Sequence, residues 1–213
     1  MEYSYKFRLY PTKTQEQQIQ RTFGCCRYLW NHYLAQRKAV YEVDGRTMNY
    51  YECSKDLTAL KKSLTWLKEV DATALQSSLR DLDTSFKNFF RRVKNGEKPG
   101  YPKFKSKKNQ HQSYKSKCVG TNIKVLDKAV QLPKLGLVKC RISKEVKGRI
   151  LSSTVSQNSS GKYFVAINCT DVEMEPLSST GAVVGLDMGL KSFAVTSNGV
   201  EYPNHKFLTK SIR

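Results

Sequence analysis

Asp187 is the residue whose position most clearly suggests chemistry. The stretch from Gly185 to Gly199 predicts a strand, this acid, a turn and a second strand. A carboxylate at a strand end is a ligand that Mg²⁺ prefers, but two-metal phosphodiester cleavage needs several ligands that hold two cations about 4 Å apart. Glu201 is the only acid that follows Asp187 in the sequence. Asp187 therefore predicts one ligand of a metal site whose partners we do not find.

A second candidate site is the basic segment, residues 98–117, which contains seven lysines and no acid. A pure charge run is usually disordered. The interleaved aromatic residues instead favour a loop that stacks on bases or docks on a core while its lysines contact phosphates. The predicted phosphate contacts are Lys103, Lys105, Lys107, Lys108, Lys115 and Lys117, and the predicted stacking or anchoring residues are Tyr101 and Phe104.

The third candidate site is the polar face of a helix predicted to begin near Asp71. Its apolar stripe includes Leu75, Leu79 and Phe86. Glutamine and arginine could contact base edges from the opposite face and lysine could contact phosphates, or that face could be an ordinary solvated surface. The candidates on this face are Gln76, Arg80, Lys87 and Arg91. Tyr51, on the preceding helix, is a further candidate for duplex recognition, with packing against Tyr50 or Lys55 as the alternative.

The overall charge agrees with a polyanionic partner. The 213 residues contain 37 Lys and Arg against 18 Asp and Glu, a net charge of +19. Neutralised phosphates release counterions, so nucleic acid is the first candidate partner. An anionic membrane is the weaker candidate because the cations lie on several predicted elements, and no apolar run approaches the roughly 20 residues of a membrane span. We expect no membrane partner.

The cysteines and histidines indicate no zinc site. None of the six cysteines forms a Cys-x-x-Cys pair, and the three histidines are far apart in sequence. Buried, reduced thiols are the expected state of the cysteines.

The elements that would position these sites alternate in type along the chain. Tyr3 to Tyr10 alternates like a half-buried strand, and Thr12 with Gln15 predicts a capping box before a helix that runs to about Val43. Two further helices follow, and short strands begin at Thr121. Asn198 and Gly199 predict a late hairpin. The predicted fold class is α+β, a small β-barrel or sandwich that a helical domain interrupts.

Several motifs, in one order along most of the chain, resemble the TnpB (OrfB) proteins, which insertion sequences encode and which are relatives of type V CRISPR effectors. These motifs are Tyr5 to Thr12 with Gln15, Tyr28 to Leu34, Leu75 to Leu82 with Phe86 to Phe90, Gly100 to Lys105, Leu132 to Gly136, and Gly185 to Gly189.

The resemblance implies a domain layout. It consists of a wedge-type β-barrel (1–10 and 118–175), a helical recognition domain of helix-turn-helix type (11–117, with the basic loop 98–117), a linker (176–181) and the first strands of an RNase H-like RuvC domain (182–213). In a complete protein of this kind Asp187 would be the first RuvC carboxylate and a Mg²⁺ ligand. The family's later acids and its zinc ribbon have no counterpart in this sequence. We therefore expect a chain truncated within the RuvC domain that does not cleave DNA by itself.

The implied function is the N-terminal part of a transposon-encoded, RNA-guided DNA endonuclease, with a transposon-derived guide RNA and target double-stranded DNA as partners. The resemblance also implies a prokaryotic cytoplasmic, nucleoid-associated location. A protein of this kind recognises shape and a short motif while base pairing recognises sequence. The alternative is a stand-alone, nuclease-dead protein that binds RNA or DNA as a guided repressor or as a simple regulator. The oligomeric state stays open.

Overall fold

The computed structural model describes residues 1–109, 111–173 and 178–212, apart from the side chain of Leu208. The chain divides into two compact units, 1–173 and 174–213, which are described separately. The first is a mixed α+β unit with a large antiparallel sheet. No helix in the described part of the chain is both long enough and apolar enough to cross a bilayer.

Three helices follow the first strand. They are α1 (Lys13–Asp44), α2 (Tyr50–Ser63) and α3 (Ala72–Lys94), with a short 3-10 turn at Thr65–Lys68 before α3. The predicted capping box of α1 is confirmed, since Gln15 and Thr12 exchange hydrogen bonds between side chain and backbone. Asp71 caps α3, as its position before the apolar stripe predicts.

The sheet has seven strands, all paired antiparallel. They are β1 (Tyr3–Tyr10), β2 (Gln112–Lys117), β3 (Lys124–Leu126), β4 (Ala129–Leu132), β5 (Gly136–Arg141), β6 (Arg149–Gln157) and β7 (Tyr163–Thr170). Their order is β2-β6-β7-β1-β5-β4-β3. Because β1 lies between β7 and β5, the helices are an insertion between the first strand and the rest of the sheet.

Alternation along the strands determines which face of the sheet is buried. On β1 the side chains of Tyr5, Phe7 and Leu9 are buried, whereas the residues between them are at least partly exposed. These side chains belong to one apolar core that also includes Ile19 and Leu75 from the helices. The buried side chains of alternate strand residues pack against the apolar stripes of the helices, and together they form the core of the first unit.

Two expectations from the sequence differ from the structure. The sequence predicts a loop over residues 98–117, but Gln112–Lys117 is β2, which pairs with β6 through residues 152–157. Tyr114 and Ser116 are buried, so the polar, lysine-rich stretch gains its strand structure from a partner far along the sequence. The apolar run from Ala182 predicts a longer strand before Asp187, but only Leu186–Asp187 pairs.

The second unit is small. It contains β8 (Leu186–Asp187), β9 (Ser192–Thr196), β10 (Glu201–Pro203) and a short helix, α4 (Phe207–Ser211). The predicted hairpin at Asn198 and Gly199 joins β9 to β10. Many of its large apolar side chains are exposed, as three short strands allow. The predicted linker 176–181 begins within residues 174–177, which lie outside the described part of the chain.

Candidate nucleic-acid interface

The first half of the basic segment is fixed to α1 by main-chain contacts. The Trp30 indole N–H donates to the carbonyl oxygen of Lys103 at 2.9 Å. The Asn31 amide donates to the carbonyl oxygen of Lys105 at 2.9 Å, and its oxygen accepts from the backbone N–H of Lys105 at 2.7 Å. The Asn31 side chain thus satisfies both backbone hydrogen-bonding groups of Lys105. The segment has a defined position on the protein and is not a free tail.

The two aromatic candidates of the segment lie in different surroundings. The ring of Tyr101 makes edge contacts with Phe86 and Phe89, at centroid distances of 5.7 and 5.3 Å. Phe104 is 61% exposed. Tyr101 therefore anchors the segment to α3, whereas Phe104 is available to stack on a base.

Lys105 differs from the other lysines of the segment. Its Nζ lies 3.8 Å from the centroid of the Trp30 ring, a distance at which a cation and an indole attract each other. Loss of hydration lowers the pKa of Lys105, and the nearby Asp81 carboxylate opposes this shift. The sequence predicts that Lys105 contacts phosphate. Lys105 is exposed, but its ammonium lies over the Trp30 ring, which favours an anchoring role.

Lys107 faces a broad surface groove of about 890 Å³ between the start of α1 and the sheet. Lys13, Arg21 and Arg27 line the same groove, together with one acid, Glu16. Four cations converging on one groove create a positive potential that attracts phosphate. Lys103 and Lys108, elsewhere on the segment, are also exposed.

The last two lysine candidates lie on β2. Lys115 and Lys117 are exposed, while Tyr114 and Ser116 between and beside them are buried. Tyr114 packs edge-on against Phe23 at 5.7 Å, and burial raises its pKa. Tyr114 is therefore a core residue, and the two lysines emerge from the opposite side of the strand.

A second group of candidates surrounds the start of α2 and the middle of α3. The guanidinium of Arg80 lies 4.3 Å from the ring centroid of Tyr50. Tyr50 in turn makes an edge contact with Tyr51, which is 77% exposed. Gln76 is exposed one turn before Arg80 on the same helix. The structure thus brings three sequence candidates into one region, and Tyr51 makes the contact with Tyr50 that the sequence offered as an alternative.

The far end of α3 presents different surroundings. Lys87 forms an ion pair with Asp83 at 3.0 Å, while Arg91 is exposed. Arg37 from α1 also pairs with Asp83 at 3.0 Å, and its side chain is only 2% exposed. Burial raises the pKa of Asp83, but the hydrogen bonds from Lys87 and Arg37 outweigh it, so the pKa lies below its ordinary value. The Lys87 side chain is nevertheless 78% exposed, so its predicted phosphate contact stays a prediction.

Asp187 ends β8, as the sequence predicts, and is exposed. It lies opposite Val195 on β9, and Glu201 of β10 lies opposite the same valine from the other side. Neighbouring strands are about 4.8 Å apart, so the two backbones are separated by roughly twice that distance. Among the described residues, no three acids, histidines or cysteines are grouped so that they could hold a metal ion. These residues do not fit the several-carboxylate site that Mg²⁺ chemistry requires.

Sequence reasoning missed the residues that position the interface. Trp30 and Asn31 lie about 74 positions before the backbone atoms they bind, and no local pattern marks such a contact. The signal available was a polar asparagine beside an aromatic residue within an otherwise amphipathic helix.

The chain is similar to proteins of one family along most of its length. A family model described as a helix-turn-helix domain, HTH_OrfB_IS605, matches residues 1–46. In the structure these residues form β1 and the single long helix α1, and the second helix begins only at Tyr50. The matched region is therefore a strand and a helix.

Two curated relatives extend the similarity. The chain is 31% identical over 201 residues to the putative RNA-guided DNA endonuclease InsQ of Escherichia coli (strain K12), covering 93% of this chain and 48% of that protein. It is 33% identical over 207 residues to a putative RNA-guided DNA endonuclease of Streptomyces pristinaespiralis, covering 95% and 50%. The chain thus spans about half the length of these relatives.

Among solved structures, a chain from the cryo-EM structure of a Cas12f1–sgRNA–target DNA complex matches 99% of this chain and 59% of its own length. The sequence identity is 15% and the TM-score is 0.34, a likeness too low to support an argument.

Proposed function

The chain belongs to the TnpB (OrfB) family of insertion-sequence proteins, and we propose that it is the part of an RNA-guided DNA endonuclease that binds guide RNA and recognises target DNA. The observation on which this depends is the continuous similarity to two curated RNA-guided DNA endonucleases across more than nine-tenths of the chain. The anchored basic segment supports the proposal, because it presents exposed lysines and Phe104 from a fixed backbone. The proposed partners are a transposon-derived guide RNA and double-stranded target DNA, and the proposed location is the prokaryotic nucleoid.

We assign the domains as follows. Residues 1–10 and 118–175 form the wedge-type β-barrel, residues 11–117 the helical recognition domain, and residues 182–213 the RuvC segment. The position of β1 between β7 and β5 supports the first assignment. Since β2 also pairs with β6, we extend the wedge domain to include Gln112–Lys117.

The duplex-recognition role is proposed for the region of Tyr51, Gln76 and Arg80. The exposed aromatic ring, amide and guanidinium there supply the donors and acceptors that contact base edges. Arg80 is held over Tyr50, so little side-chain freedom is lost when it binds. Arg91 lies further along α3, where it could contact phosphate.

We further propose that the 213-residue polypeptide, tested by itself, binds nucleic acid without cutting it. The support is the exposure of Asp187 and its distance from Glu201, since one carboxylate binds Mg²⁺ weakly. The test is a nicking assay with supercoiled DNA, guide RNA and Mg²⁺, in parallel with a gel-shift assay. Binding without nicking is expected. Nicking that disappears in Asp187→Ala would contradict this part of the proposal.

A further inference from the structure

The strands of the large sheet have an unusual charge distribution. Together, β1 to β7 contain eight lysines and arginines and no aspartate or glutamate. On β1 the buried residues alternate with Lys6, Arg8 and Tyr10, which therefore emerge from the other face. The outer face of the sheet consequently carries cations that no acid within the strands neutralises.

Strand register gathers these cations in the middle of the sheet. Arg8 lies opposite Phe164 of β7 on one side and opposite Arg141 of β5 on the other. Tyr10 lies opposite Lys139 of β5. Like charges directly opposite each other on neighbouring strands are destabilising, so the Arg8–Arg141 pair costs stability unless an anion lies between or above the two side chains.

Aromatic rings hold the cations of β1 against this face. The guanidinium of Arg8 lies 5.3 Å from the ring centroid of Tyr10 and 5.5 Å from that of Phe164. Lys6 places its Nζ 5.1 Å from the same Phe164 ring. The Nε of Arg8 is buried and finds no hydrogen-bond partner within the described residues. Lys139 and Arg141, by contrast, are exposed.

We propose that the outer face of β7, β1 and β5, here called the basic sheet face and consisting of Lys6, Arg8, Tyr10, Lys139, Arg141 and Phe164, binds a single strand of nucleic acid. Cations on the sheet would contact phosphates, and unpaired bases would stack on the exposed ring of Tyr10 and on the guanidinium plane of Arg8. RNA and DNA strands share this chemistry. The inference rests on the proposed nucleic-acid-binding function and adds a surface outside the basic segment.

The charge test compares three variants of the full chain, each of which carries three fewer cations. The sheet variant is Lys6→Gln, Lys139→Gln and Arg141→Gln, and the segment variant is Lys103→Gln, Lys107→Gln and Lys108→Gln. The control is Lys61→Gln, Lys62→Gln and Lys68→Gln, at positions of α2 and the 3-10 turn that are at least partly exposed. Fluorescence anisotropy over a salt series measures binding to labelled oligouridine, oligothymidine and duplex DNA of about 15 nucleotides or base pairs. Circular dichroism checks that each variant is folded.

The sheet variant is expected to reduce the slope of log K against log salt on single strands by about 0.7 for each phosphate that is no longer neutralised, roughly 2 in total, with a smaller effect on duplex. The control should leave the slope unchanged. A larger reduction on oligouridine than on oligothymidine would assign the face to RNA, and the reverse would assign it to DNA. An unchanged sheet variant beside a weakened segment variant would overturn this inference alone, whereas a wild-type chain that binds no strand would overturn the proposed function as well.

A second comparison tests stacking at constant charge. Tyr10→Ala is expected to weaken single-strand binding at least about fivefold, since stacking of one base on an aromatic ring contributes about that much or more. Tyr10→Phe keeps the ring and should bind like the wild type. Equal affinities of the Ala and Phe variants would contradict the stacking part of the proposal.

Discussion

At the residue scale, Asp83 joins a buried cation of α1 to an exposed cation of α3. Asp83 binds Arg37 and Lys87 at once, both at 3.0 Å. Arg37 also lies with its guanidinium 5.0 Å from the ring centroid of Phe86. Such an ion pair is expensive to break, because removing one partner leaves a charge without hydration. This group therefore joins α1 to α3.

Arg37→Ala is expected to lower the free energy of unfolding by roughly 3–5 kcal/mol, since it leaves Asp83 without its buried partner. Lys38→Ala is the matched control, because Lys38 pairs with Glu42 across a largely exposed helix surface, and should cost less than about 1 kcal/mol. Urea denaturation followed by circular dichroism measures both. Equal effects of the two substitutions would contradict the structural role of Arg37.

The same group predicts a dependence on pH. Because the folded-state pKa of Asp83 lies below its ordinary value of 3.8, Asp83 contributes stability that is present above the unfolded-state pKa and is lost as the pH falls through the folded-state pKa. Urea midpoints of the wild type should therefore drop below about pH 4. Asp83→Asn should show a smaller drop over the same range, and a drop as large as in the wild type would show that other carboxylates produce it.

Lys105 and Lys107 separate anchoring from phosphate binding within one segment. Lys107→Gln is expected to lower the salt slope for duplex DNA by about 0.9, the value for one phosphate contact. Lys105→Gln should leave the slope nearly unchanged, because its ammonium lies on Trp30, and should instead lower thermal stability. Anisotropy titrations over a salt series measure the slopes of both variants. A larger slope change for Lys105 than for Lys107 would contradict the roles assigned to the two lysines.

At the element scale, hydrogen bonds from α1 hold the backbone of the basic segment in one position on the protein surface. Asn31 satisfies both the N–H and the carbonyl of Lys105, while Trp30 binds the carbonyl of Lys103. A segment held in this way has already given up much of the freedom that it would otherwise lose on binding. Its affinity for nucleic acid should depend on α1 as much as on its own lysines.

Asn31→Ala is expected to release the segment. Two hydrogen bonds of about 1 kcal/mol each are removed, so trypsin should cut after the lysines at 103–108 about thirty times faster. Asn88→Ala, at an exposed position on α3, is the control and should be cut like the wild type. Limited proteolysis with mass spectrometry measures the rates. Unchanged cleavage in Asn31→Ala would show that Trp30 and Tyr101 hold the segment without Asn31.

Local signals predicted most elements and few of the contacts between them. The caps at Thr12 and Asp71 and the stripe of Leu75, Leu79 and Phe86 are properties of neighbouring residues, so the helices could be predicted. Strand β2 could not, because its burial of Tyr114 depends on pairing with β6, about 40 residues later.

In the candidate site, too, local sequence predicted which residues are exposed but not their long-range contacts. Lysines 103, 105, 107 and 108 are all exposed as the sequence suggested, whereas the position of the Lys105 ammonium over the Trp30 ring depends on a long-range contact. The sharing of one sheet face by Lys6 and Arg141 depends on strand register, which the sequence did not specify.

At the scale of the whole molecule, the charge of the chain suits the polyanionic partner that we propose. The net charge is +19, and exposed cations lie on the basic segment, on α3 and on the outer face of the sheet. The chain spans about half the length of its curated relatives, and its first unit contains a continuous core that includes strands and helices. We therefore assign recognition to this part of the chain.

The most direct test of that assignment is to express the tagged chain in cells that carry its gene with the flanking DNA, purify it and sequence the bound RNA. The central claim predicts strong enrichment of one RNA encoded beside the gene, and loss of that enrichment in the segment variant Lys103→Gln, Lys107→Gln and Lys108→Gln. The control variant at Lys61, Lys62 and Lys68 should keep it. Recovery of RNA in proportion to its abundance in the cell, or of no RNA, would contradict guided recognition.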